Sequence, residues 1–143
     1  MHACVRKLDS ALITLAQHPG PQQQVHIRVH RADVAADAPR GPFRVLSDGP
    51  VTPRDWECLD GTLFVDEAGA PWIVFCHEWL QVHDGEICAS RLAPDLTRAA
   101  EKPVLLFHAS DAPWPTKKTD MVTDGPLLYR AKNGHLLMLW SSF

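Results

Sequence analysis

The chain has 143 residues, 45% of them apolar and 22% charged, which suits one domain with a core of its own. Fourteen Lys and Arg against seventeen Asp and Glu leave a net charge of −3, so no basic excess tracks a phosphate backbone and nucleic acid is not an expected partner. No run reaches the roughly 18 apolar residues of a membrane span, and twelve Pro and eight Gly argue against long helices.

The first element predicted is a short helix over residues 4–17. Val5, Leu8, Leu12, Ile13 and Leu15 fall near helical spacing, and His18-Pro-Gly-Pro21 ends the run. No cleavage site follows its apolar stretch, so no secretory signal is read and a cytoplasmic location is the default. Gln22-Gln-Gln24 reads as a linker. Residues 1–24 are therefore set apart from a domain over 25–143.

From Val25 onward, short β-branched, aromatic and aliphatic runs alternate with turn clusters. Strands are expected at 25–31, 43–47, 61–66, 71–77, 86–92, 103–108, 125–130 and 134–141. Asn133-Gly134 is a hairpin signal, and Glu67-Ala-Gly-Ala70 has the same role in an earlier hairpin. Trp72-Ile-Val-Phe-Cys76 and Leu136-Leu-Met-Leu-Trp140 are apolar at every position, as strands covered on both faces would be.

Asp60-Gly-Thr-Leu-Phe-Val65 aligns with Asp124-Gly-Pro-Leu-Leu-Tyr129 at an offset of 64 (124 − 60), and Gly69 with Gly134 at 65 (134 − 69). Two more strands lie between the copies, so the repeating unit has four strands. Units of this kind are propeller blades, here about two and a half of them. In a propeller, Asp60 and Asp124 would look across one funnel. Two carboxylates converging on a pocket is a glycosidase arrangement; the plainer role is an Asx turn opening each strand.

Other side chains have two readings each. Trp79 and Trp114, in loops, suit stacking on a sugar or packing in the core; Trp72 and Trp140, within apolar strands, suit the core. Glu78 suits a hydrogen bond to a sugar hydroxyl or a salt bridge. His77 and Cys76 point to opposite faces of a strand and would not chelate one metal. Arg54 and Arg91 read as surface or inter-blade partners, and Asp66, Asp84 and Asp95 as turn residues. Cys4, Cys58, Cys76 and Cys88 lack zinc-site spacing and read as reduced thiols, with a disulfide between two of them as the alternative.

Gly41-Pro-Phe43, the run from Asp48 to Asp66, Trp72-Ile-Val-Phe-Cys-His-Glu-Trp79, Val104-Leu-Leu-Phe-His-Ala-Ser-Asp-Ala-Pro-Trp114 and Thr123-Asp-Gly-Pro-Leu-Leu-Tyr129 together resemble glycoside hydrolase family 43. The resemblance implies a five-bladed propeller that hydrolyses arabinose- or xylose-containing saccharides with inversion, using three acidic residues from successive blades. Asp60 matches the residue that tunes the acid's pKa. Asp124 matches the general acid, where the family commonly has Glu. The expected base, one repeat before Asp60, falls at 60 − 64 = −4, so the chain reads as a truncated form lacking it. Beside Asp60 and Asp124, substrate contacts are expected at Glu78, Trp79 and Trp114, from their place next to a strand end and in loops. The partner expected is a saccharide; no cofactor, metal or membrane is. A carbohydrate-binding propeller without turnover is the alternative, a protein-contact scaffold the third reading, and bare blade faces would favour self-association.

Overall fold

A computed structural model describes residues 2–7, 27–29, 32–35, 42, 44–116 and 119–142. Ten strands occur among them: β1 (His2–Lys7), β2 (Ile27–Val29), β3 (Ala32–Ala35), β4 (Arg44–Val45), β5 (Cys58–Val65), β6 (Pro71–His77), β7 (Glu86–Arg91), β8 (Val104–His108), β9 (Asp124–Arg130) and β10 (Leu136–Ser142). Among the described residues, helical structure is limited to one turn, α1 (Trp79–Val82), and a 3₁₀ turn at Ala109–Asp111. No described helix is long and apolar enough to cross a membrane.

The fold is an all-β partial propeller. Strands β5-β6-β7-β8 form an antiparallel four-stranded meander, which is one blade. Strands β9 and β10 open the next, with β1 antiparallel on the outer side of β10. Strands β2-β3-β4 make a third sheet. The expected strands at 25–31 and 43–47 contract to β2 and β4 within the described residues, and β3 lies between them.

The predicted helix over 4–17 is corrected at its start: residues 4–7 belong to β1, paired from His2↔Ser142 to Lys7↔Leu137. An open edge of β10 supplies a ladder of backbone partners, and such tertiary pairing overrides a weak local helix preference. Residues 8–17 lie outside the described residues, as do the Gln22–Gln24 linker and residues 25 and 26.

Both faces of β6 are covered, as its unbroken apolar run requires. Val74 and Cys76 face the second blade and share a core with Phe64, Ile87, Phe107, Leu128, Met138 and Trp140. Ile73 and Phe75 point the other way, into a smaller core closed by Val51 and Trp56. Strand β10 differs. Leu136, Met138 and Trp140 are buried but Leu137 and Leu139 only half so, and beside them on β9 Leu127 and Tyr129 are 54% and 49% exposed. One face of this blade packs on its neighbour and the other is open among the described residues.

The two inner hairpins share one turn geometry. Asp66 N–H donates to Ala70 O and Gly69 N–H to Asp66 O; Ala131 and Gly134 repeat this with His135 and Ala131. Gly69 and Gly134 sit at φ 79° and 84°, while Asn133 is not left-handed, so the loop is a three-residue turn with a left-handed glycine. Asp66 has the turn role expected of it. Burial alone would raise its carboxyl, but the Trp72 indole, the Ala70 and Ala68 amides and the Arg91 charge together hold it below the usual carboxylate range. Asp84 and Asp95 likewise accept hydrogen bonds, from Ser110 and Thr97. Arg91 pairs with Glu101 at 3.3 Å.

Phe75 has no solvent exposure and fills the smaller core. Phe75→Ala is expected to cost about 3 to 5 kcal/mol, read as a lower midpoint in urea unfolding with an unchanged slope.

Candidate active site

The inner strands β5 and β9 each begin with a bulge. Leu59 pairs with Cys76 and Thr62 with Val74, leaving Asp60 and Gly61 over; Asp124 pairs with Ser141 and Leu127 with Leu139, leaving Gly125 and Pro126 over. In each bulge one residue is left-handed: Asp60 at φ 55° and Gly125 at φ 56°. By strand register the counterpart of Asp60 is therefore Gly125, and that of Asp124 is Leu59 (124 − 59 = 65). The Asp-Gly motifs align at 64, but the ladders and turns align at 65. Asp60 and Asp124 are not equivalent by rotation from blade to blade.

They nevertheless meet. Gly125 N–H donates to Asp60 Oδ2 at 2.9 Å, and Thr62 Oγ1 donates to Pro126 O at 2.6 Å. These two bonds tie one inner strand to the next. The first places the Asp60 carboxylate against the peptide that follows Asp124. Asp60 is exposed and Asp124 half-buried. Burial, then the Asp60 charge, raises the Asp124 carboxyl above its ordinary value.

Gly85 delivers Asp124 to this place. Its N–H donates to Met121 O at 2.7 Å, and a Cβ there would lie 2.8 Å from Met121 O and 2.9 Å from Thr123 N. Only glycine lets the chain before β9 approach so closely. Thr123 then donates through Oγ1 to Glu86 O at 3.2 Å, and the next residue is Asp124.

Glu78 joins the same group. It follows the last residue of β6 with an extended backbone (φ −65°, ψ 135°), and its N–H donates to Glu57 O at 2.8 Å. Extended residues two apart share a face, so Glu78 emerges on the side of Cys76, towards the second blade. Burial, then the charges of Asp124, Asp60 and Glu57, raises its carboxyl, against an opposing contribution from His77. The Cys76 thiol below is pushed far up by burial, which the Thr123 hydrogen bond opposes and the charges of Asp60, Asp124 and Glu78 reinforce.

Behind Glu78 the corner is locked. His77 Nδ1 meets Glu86 Oε2 at 2.8 Å and Nε2 meets Gln81 Oε1 at 2.8 Å. Trp56 stacks on the imidazole with centroids 4.1 Å apart and planes 6° from parallel. Gln81 also accepts from Glu57 N–H and donates to Asp55 O, both at 2.9 Å. His77 is thus a buried anchor, in keeping with its strand geometry. Gln81, Glu86 and Trp56 carry no motif that would have flagged them.

The expected aromatic contacts are placed differently. Trp79 opens α1, half-buried at the carboxylate end of the blade. Trp114 packs on the shared core with its ring 5.1 Å from Trp140. Trp140 is buried, and Trp72 is half-buried with its indole bonded to Asp66. Cys58, Cys76 and Cys88 form no disulfide, and no group of three or more metal-ligating side chains occurs among the described residues. A cavity of about 620 Å³ lined by Asp48, Thr52, Arg54, Arg98 and Pro103 lies elsewhere. It borders the β7–β8 connection, at the blade end opposite the carboxylates.

A family model described as glycosyl hydrolases family 43 matches residues 21–143. The chain belongs to that family. Among solved structures it is similar to an endo-arabinase from Bacteroides thetaiotaomicron VPI-5482, with 38% identity and a TM-score of 0.72 over 95% of this chain and 55% of that one. A thermostable family-43 glycoside hydrolase shares the fold at 22% identity and a TM-score of 0.68, over 78% of this chain and 37% of that one. A search of curated proteins finds no match. The chain thus spans about half the length of the endo-arabinase it resembles.

A raised carboxyl favours the protonated form in the folded state, so its contribution is kept at low pH and lost as pH rises through the folded value. Asp124→Asn is therefore expected to raise the melting temperature at pH 7. The gain should shrink towards pH 4, as the wild-type side chain itself takes up a proton. Thermal unfolding of both proteins across this range checks the sign.

Proposed function

We propose that this family-43 chain carries the proton-donating side of an arabinose-acting, inverting glycosidase site, with Asp124 as the acid and Asp60 as the residue that tunes it. The observation supporting this most directly is the bond from Gly125 N–H to Asp60 Oδ2, which holds a carboxylate beside the acid position. The likeness to an endo-arabinase favours arabinose over xylose as the sugar.

In an inverting reaction one carboxyl protonates the leaving oxygen while a carboxylate on the opposite sugar face activates water. The acid must hold its proton near neutrality. Asp124 is raised by burial and then by Asp60, the two effects such a group needs. None of the described residues is assigned as the base. Asp60 is exposed at the rim of the site, Glu78 lies within hydrogen-bonding reach of a sugar hydroxyl in this reading, and Trp79 offers a ring at the same end of the blade.

One observation favours binding without turnover. Asp124 stands where the family commonly has Glu, and the missing methylene sets its carboxyl back by roughly 1.5 Å.

Calorimetric titration with arabino-oligosaccharides is expected to show binding, weaker by at least about tenfold for xylo-oligosaccharides. Asp60→Ala should weaken it. Release of new reducing ends that falls by about 10²-fold or more in Asp124→Ala identifies the acid. Binding with no release selects the binding-only reading, and no binding of either saccharide removes the carbohydrate assignment.

A further inference from the structure

We propose that His77 is a buried cation, with a proton on each ring nitrogen, and that this doubly protonated ring is a pH-sensitive lock on the segments framing the carboxylate end. The inference rests on hydrogen-bond donors and acceptors and is independent of the carbohydrate reading.

Four contacts give the proton count. Glu57 N–H, which can only donate, meets Gln81 Oε1 at 2.9 Å, and the Asp55 carbonyl, which can only accept, meets Gln81 Nε2 at 2.9 Å. Two backbone groups thus fix which end of the amide is oxygen. That oxygen faces His77 Nε2 at 2.8 Å, so Nε2 donates. Glu86 Oε2 faces Nδ1 at 2.8 Å, and a carboxylate only accepts, so Nδ1 donates as well. A ring that donates at both nitrogens is an imidazolium. The remaining arrangement is a neutral ring accepting from a protonated Glu86. It is disfavoured because the Glu86 side chain is 19% exposed, and water reaching it stabilises the carboxylate.

The surroundings suit a charge. Trp56 lies flat on the ring with centroids 4.1 Å apart, inside the roughly 6 Å reach of a cation–π contact. The His77 side chain is only 6% exposed, and a charge so placed persists when it is paired and fully hydrogen-bonded. Titratable groups come to this corner from every element around it. From β7 there is Glu86, with the Cys88 thiol 3.9 Å from its Oε2; from β8, His108 Nδ1, 3.9 Å from Glu86 Oε1. From β5 there is Cys58, opposite His77 in the ladder; Cys76 and Glu78 flank His77 in its own chain, and Glu57 precedes β5. Burial keeps the Cys76 and Cys88 thiols neutral.

The ring joins the end of β6 to the start of β7 through Glu86. Through Gln81 it joins both to α1 and to the run from Asp55 to Glu57. When one proton leaves, a lone pair faces another acceptor. The charge of Glu86 holds the Nδ1 proton, so Nε2 gives up its proton first and the contact to Gln81 opens. A histidine charged in the folded state contributes stability at low pH that is lost as pH rises, so α1, with Trp79 at its start, loosens on the alkaline side.

The test labels the histidines of the full chain with ¹⁵N. Near neutral pH, the ring signals missing from His77→Asn are expected to show two protonated nitrogens; a bare nitrogen overturns the cation. In Glu86→Gln the new amide can donate to Nδ1, so Nδ1 should lose its proton while Nε2 keeps its own. Two protons still present there overturn the ion pair. Unchanged signals from the other histidines establish that each variant folds, and the signals that move most in Glu86→Gln assign His77 if His77→Asn does not fold. The lock is read by hydrogen exchange at the Gln81, Val82 and His83 amides, which bond to the Glu78 and Trp79 carbonyls. Their protection should fall by about tenfold relative to the β5–β6 ladder over the pH interval in which Nε2 loses its proton. Protection that stays parallel to the ladder throughout overturns the lock.

Discussion

One hydrogen bond organises the carboxylate end of this molecule: Gly125 N–H to Asp60 Oδ2, across the gap between two inner strands. It exists because each strand opens with a bulge that turns one residue left-handed. A left-handed glycine is ordinary. A left-handed aspartate is disfavoured, and such conformations persist where surrounding contacts over-determine them. Here the compensation is the bond itself, which spends the Asp60 side chain on the neighbouring blade and leaves its charge beside Asp124.

The packing beneath has the same logic. A four-stranded sheet with alternating side chains offers two faces, and β6 fills both: Val74 and Cys76 towards the second blade, Ile73 and Phe75 towards the smaller core. A dry joint between blades removes water from below the carboxylates. Loss of hydration favours the neutral form of Asp124, Glu78 and the Cys76 thiol alike. The acidity of the site is therefore a property of the inter-blade core as much as of the acids. Gly85 belongs to this scheme, because its missing Cβ lets the chain before β9 lie against the first blade.

The network around His77 shows how a side chain at a strand end can depend on a buried corner. Trp56, Gln81 and Glu86 do not reach the other carboxylates in any hydrogen bond described, yet they fix the strand end from which Glu78 projects. The ring nitrogens of His77 meet Glu86 and Gln81, and the Gln81 amide is bonded to backbone at Asp55 and Glu57. A satisfied network of this kind adds rigidity, whereas a half-satisfied one would be a liability.

Much was legible in the residues alone. Alternation, turn chemistry and the unbroken apolar runs determined an all-β chain of short strands and a repeating four-strand unit, because side-chain period and backbone geometry are local properties. The Asp-Gly repeats also pointed to Asp60 and Asp124 as partners. What only the tertiary structure decided is long-range. The start of the expected helix became β1, since an open strand edge at β10 outweighs local preference. The repeat proved to run at 65 by register, because each bulge puts one extra residue between ladder partners and no local pattern marks which residue it is. Glu78 was visible as a polar residue near a strand end, but its place beside two other acids depends on how one blade packs on the next. Burial and charge at a distance are set by residues far apart in the chain, and only folding brings them within reach.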